Sequence, residues 1–133
     1  MRYLAAFGTS AVVMLVLDAV WLTMMGDRLY RPVLGDWMRK SVNWPPAIAF
    51  YLLFLFGVTF LATVPAIQQA SWQRAAINGA VFGLVAYATY DLTNQATLVR
   101  WSTTITLADM AWGAFLSTTA AVAGYFGSRW LVR

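Results

Sequence analysis

Long apolar runs dominate this chain, and several approach the roughly 20 residues a helix needs to cross a hydrocarbon core of about 30 Å. Only 11% of its residues are charged, where a soluble domain carries about a quarter. A membrane barrel would show alternating segments of about 10 residues instead, and none is present. The 133 residues therefore read as one all-α transmembrane domain, an integral membrane four-helix bundle. Its spans are expected at about 3–25, 46–64, 75–98 and 106–126.

Composition removes several kinds of chemistry. Cysteine and histidine are both absent, so no disulfide forms, and haem, zinc and di-iron sites lose their usual ligands. A proton, or a hard cation held by oxygens, stays available. No lysine lies inside an apolar run to carry a Schiff base, and no cofactor and no metal is expected. The net charge of +4 does not point to nucleic acid. The basic residues sit at segment ends, where they anchor helices among lipid head groups.

Arg2 and the run after it have the look of a secretory leader. The run is too long, however, and Ala19-Val20-Trp21 makes a poor cleavage site, so a retained span is expected. Gly26 to Trp44 mixes apolar, aromatic and basic residues and reads as a connecting segment in the membrane interface. Pro45-Pro46 suits the start of the second helix, and Pro65 marks its expected end. In the third helix Gly79, Gly83, Tyr87, Asp91 and Gln95 recur at one spacing and form a stripe. Its glycines let a neighbouring helix approach closely, and its other end is polar. About 24 residues is long for one straight span, so this helix is expected to tilt, or to unwind near Thr93-Asn94-Gln95. Gly113, Ser117, Ala120, Ala121 and Gly124 give the fourth helix a face of small residues.

The five acidic residues are all aspartates, and Asp18, Asp91 and Asp109 fall inside the spans. A carboxylate in a span is costly and marks a functional site by default. With four spans both termini lie on one side, and all three aspartates fall in the leaflet half nearest the first and third loops. At 1.5 Å per residue they lie roughly 5 to 10 Å from the midplane. Candidate binding residues at that depth are Asp18, Trp21, Tyr51, Tyr87, Tyr90, Asp91, Asn94, Asp109 and Trp112. No basic residue is placed to neutralise them. Three like charges in low dielectric do not all stay ionised, so at least one is expected to hold a proton or meet a cation. Asp18 and Asp91 are expected to face each other, with Asp109 at the rim. Thr106-Leu107-Ala108-Asp109 also fits a capping box, which would make Asp109 a structural residue. A structural lock between helices is the competing role for all three.

The segments Leu17-Asp18-Ala19-Val20-Trp21-Leu22, Tyr87 to Leu98, and Asp109-Met110-Ala111-Trp112-Gly113 resemble a family of small bacterial membrane proteins known only as a domain of unknown function. The resemblance spans nearly the whole chain, with Tyr90-Asp91-Leu92-Thr93-Asn94 its most specific part. It implies a multi-pass protein of the bacterial inner membrane and carries no known activity.

The carboxylate–aromatic cluster favours a proton- or cation-coupled transporter or channel for a small molecule. The expected partners are membrane lipids, a proton or small cation, a small amphipathic ligand and a second copy of the chain as a homodimer. The alternatives are an enzyme acting on a lipid or isoprenoid, with two carboxyls as general acid and base, and a non-catalytic lipid-binding or assembly subunit. Arg2, Arg74, Arg129 and Arg133 lie on the terminal side, against Arg28, Arg31, Arg39, Lys40 and Arg100 on the other. The positive-inside rule barely separates these sets, so the orientation is expected to be easily shifted.

Overall fold

The computed structural model describes residues 1–132. Among them there is no strand, and four long helical runs form the expected all-α bundle. We label these α1 (Arg2–Trp37), α2 (Trp44–Gln69), α3 (Trp72–Thr97) and α4 (Thr103–Leu131). Three of them, α1, α2 and α4, are long and apolar enough to cross a membrane. Helix α3 has 26 residues, ample length at about 1.5 Å per residue, but its polar residues hold its hydropathy down.

Helix α4 is the centre of the bundle. One side receives α1: Ser10 Oγ donates to the Ala120 carbonyl at 2.7 Å, and a Cβ on Gly124 would lie 2.4 Å from that same Oγ. The other side receives α3 along the glycine stripe. A Cβ on Gly83 would fall 2.2 Å from the Gly113 carbonyl oxygen, and one on Gly113 would fall 2.3 Å from the Tyr87 ring. These two glycines bring the backbones closer than any side chain would permit. Helix α2 closes the bundle with Phe54, Leu55, Val58 and Ala62, which join the core with Met14, Leu116, Ala120 and Ala121.

Several helix boundaries differ from those expected. Gly26 does not end the first helix. The chain widens into a π turn over Gly26–Tyr30 and stays helical to Trp37. Gly26 keeps right-handed helical angles, and Pro32 falls in the first turn of the next α segment, where its missing N–H is tolerated. Nor does Pro65 end α2. A π turn over Thr59–Thr63 precedes it, and the helix runs on to Gln69 before Ala70 turns left-handed. Pro65 has no N–H for the Leu61 carbonyl one turn below. Asn78 Nδ2 of α3 donates to that carbonyl at 3.1 Å, which removes an unpaired acceptor from the membrane. Finally, α3 shows no unwinding at Thr93-Asn94-Gln95 and remains α-helical through Thr97.

Helix α4 starts earlier than expected. Ser102 is its N-cap and accepts from the Ile105 amide at 3.1 Å. Thr106 instead accepts from Trp101 Nε1 at 2.9 Å. The capping-box role for Thr106 and Asp109 is therefore ruled out, and Asp109 lies beyond the first turn.

Candidate functional site

The antiparallel seam between α3 and α4 sets the site. Gly79 lies against Ser117 and Ala121, Gly83 against Gly113 and Ser117, and Tyr87 over Gly113. One turn further on, the same register sets Asp91 opposite Asp109. Asp91 is fully buried; among the described residues no donor group reaches either of its carboxyl oxygens, and the Asp109 carboxyl lies within hydrogen-bonding range. An unpaired buried carboxylate is among the costliest groups a protein can hold.

Asp109 is buried as well, and Tyr30 Oη donates to its Oδ1. Tyr30 in turn accepts from Trp21 Nε1 at 2.9 Å. The Trp21 and Trp112 rings stack with centroids 4.5 Å apart and 10° between planes. On the far side of that stack Asp18 is also buried. Its Oδ2 accepts from Tyr51 Oη and its Oδ1 from Trp112 Nε1 at 3.4 Å. Two carboxyls thus have phenol donors, and the third has none. No ion pair reaches any of them among the described residues, where the two salt bridges are Arg31–Asp27 and Arg100–Asp36.

Seven of the nine expected site residues meet in this arrangement: Asp18, Trp21, Tyr51, Tyr87, Asp91, Asp109 and Trp112. Tyr90 and Asn94 do not join the carboxyl network. Tyr90 is exposed and meets Trp101 edge-on at 5.9 Å, and Asn94 is half-buried beyond it. The expected face-to-face approach of Asp18 and Asp91 is corrected too. Both α1 and α3 pack on α4, so Asp109 stands between them rather than at a rim.

A cavity of about 430 Å³ opens on Asp109 between α2 and α3. Its walls are Phe50, Phe54, Ala86, Tyr87 and Tyr90. The site is therefore an aromatic pocket with a carboxyl at its polar end, of a size that accepts a small ligand. Three participants were not singled out in the sequence: Tyr30, Phe50 and Phe54. The phenylalanines are anonymous among the apolar residues of α2, and Tyr30 lies in the stretch read as a connector.

The outer end of α1 is tied over the turn between α3 and α4. Arg100 donates to Asp36, and its guanidinium lies over the Trp37 ring at 4.9 Å. This arginine holds the Asp36 carboxyl below its ordinary value of 3.8, by hydrogen bonding first and by charge second. A lowered value means the tie is complete above that pH and is lost as acid protonates Asp36. Protection of the amides of residues 26–37 against hydrogen exchange, taken relative to the intrinsic rate at each pH, should thus stay constant between about pH 8 and 5 and fall only in stronger acid. A fall that begins near neutrality would show that another group controls this segment.

Compared with known proteins, the chain matches across residues 3–126 the family described as "Predicted membrane protein (DUF2177)". The chain belongs to this family. No curated protein and no solved structure matches it. Membership in this membrane protein family agrees with the bundle and assigns no activity to the carboxyl site.

Proposed function

We propose that this protein is a proton-coupled transporter of small amphipathic cations in the bacterial inner membrane, with Asp109 and Asp91 as its exchange site. One observation carries the proposal: a fully buried carboxyl that no donor group reaches lies beside a second carboxyl that opens on an aromatic cavity. A single proton held between Asp91 and Asp109 supplies the missing donor and leaves one negative charge on the pair. An ammonium group entering the cavity meets that charge, and Tyr87 and Phe54 offer ring faces to its hydrophobic body. The bound cation lowers the cost of the second negative charge, so the shared proton leaves as the ligand binds. Proton and ligand then compete for one site, which is the minimal requirement for exchange across a membrane.

The lipid-enzyme alternative needs a reacting group placed against an acid and a base. The cavity walls offer only tyrosine hydroxyls and Asp109, without a nucleophile–base pair. The test is binding of a hydrophobic amine dye, read by quenching of the tryptophans stacked at the site. Its apparent affinity should rise with pH in the wild type. Asp91→Asn places an amide donor where the proton sat, so the pH response, about tenfold or more, should vanish while the fold is kept. Unchanged pH dependence in Asp91→Asn would defeat the proposal.

A further inference from the structure

At the opposite end of the bundle, a second cavity of about 240 Å³ lies among Arg2, Ile67, Ala70, Tyr125, Ser128 and Arg129. It is remote from the carboxyls, at the level where α1 begins, α2 ends and α4 ends. Two guanidiniums share it, and neither makes an ion pair among the described residues. Both described salt bridges lie at the other end, and every aspartate is in the other half or beyond it.

Arg129 is held in place. Its Nη1 donates to Tyr125 Oη at 3.0 Å, with the guanidinium carbon 5.7 Å from that ring's centroid. Tyr125 is itself buried, and Ser128 Oγ donates to its carbonyl at 2.6 Å. The wall from α2 is already satisfied, since the Ile67 and Ala66 carbonyls accept from the Ala70 and Ser71 amides. The remaining guanidinium donors of Arg129 and those of Arg2 therefore have an anion as their natural partner. Paired guanidiniums match a phosphoryl group in both charge and geometry.

We propose that this cavity binds the phosphodiester of an anionic phospholipid head group. Depth favours a lipid over free phosphate, because the ends of α1 and α4 lie where a bilayer places its head groups, and Ile67 and Ala70 offer an apolar wall to the glycerol. Charge favours an anionic lipid over a choline lipid, because a quaternary ammonium would find no aspartate or glutamate among the described residues on this face.

The test is native mass spectrometry of the full chain in mild detergent with added phosphatidylglycerol or phosphatidylcholine. The wild type should retain phosphatidylglycerol in preference, and the Arg2→Gln, Arg129→Gln double variant should lose about tenfold or more of it. Arg74→Gln, on the same side but outside the cavity and bonded to Gln69, should retain it. If the double variant fails to fold, Arg2→Gln carries the test, with an expected loss of about fivefold, since its side chain makes no hydrogen bond among the described residues. Three outcomes overturn the proposal: equal retention by the arginine variants, equal retention of phosphatidylcholine, or full displacement of the lipid by millimolar inorganic phosphate.

Discussion

Gly83→Val should be the most damaging single substitution in the protein. The first carbon of any side chain there would lie 2.2 Å from the Gly113 carbonyl oxygen and 2.5 Å from Ser117 Oγ. The Ser117 hydroxyl can rotate away, but the Ser117 Cβ at 2.7 Å and the Gly113 carbonyl are fixed to the α4 backbone and can retreat only if the two helices separate. Overpacking of a tight seam costs about 1 to 3 kcal/mol, and more where backbone has to move. The expected result is a fall in unfolding temperature large enough that the variant is recovered mostly aggregated. Gly8→Ala is the matched control, because a Cβ at Gly8 meets nothing within 4 Å. Gly57→Ala should fall between the two, since its Cβ would press on the Phe82 ring, which can tilt. Thermal unfolding in detergent ranks the three. Equal stability of Gly83→Val and Gly8→Ala would mean that α3 and α4 do not pack as described.

Asp109→Asn should have the largest effect on ligand binding. From the sequence alone Asp109 is a candidate binding residue at the rim of the cluster and fits a capping box as well. The structure removes the cap, and Asp109 contacts Tyr30, opposes Asp91 and ends the aromatic cavity. An amide there removes the charge that a cation would meet. Loss of a charged hydrogen-bonding partner costs about 1.5 to 3 kcal/mol, roughly a tenfold to hundredfold loss in affinity. Asp91→Asn, by contrast, should remove only the pH response. The dye titration described above separates the two variants. An Asp109→Asn variant that binds the dye as the wild type does would leave Asp109 with a structural role alone.

Much of this was legible in the residues, for a physical reason in each case. Membrane spans are set by composition over many residues, so the bundle did not depend on any one position. The cost of a carboxylate in lipid picked out Asp18, Asp91 and Asp109, and the glycine stripe turned Asp91 inward. Tyr30 was hidden by geometry. In an uninterrupted helix the face of Asp18 and Trp21 continues through Met25 to Leu29. The π turn over Gly26–Tyr30 adds one residue, rotates the chain and brings Tyr30 onto that face instead. No local residue pattern announces such an insertion. The alternative role of Asp109 as a cap arose because a threonine three residues ahead of an acid is a common helix start. Ser102, one turn earlier, took that role.

The bond from Asn78 to the Leu61 carbonyl pins α2 to α3 within the π turn. Beyond that pin, the Trp44–Val58 limb meets α3 through rings, with Phe54 5.2 Å from Phe82 and 5.9 Å from Tyr87. The limb's own hydrogen bond, from Tyr51 to Asp18, goes to α1, so the α2–α3 seam is bridged here by rings, and it is the side on which the cavity meets the acyl chains. An occupant arriving by that route has already dissolved in the bilayer. Its apparent affinity in water then carries its oil–water partition coefficient, so hydrophobic ligands would be favoured before Asp109 distinguishes them by charge.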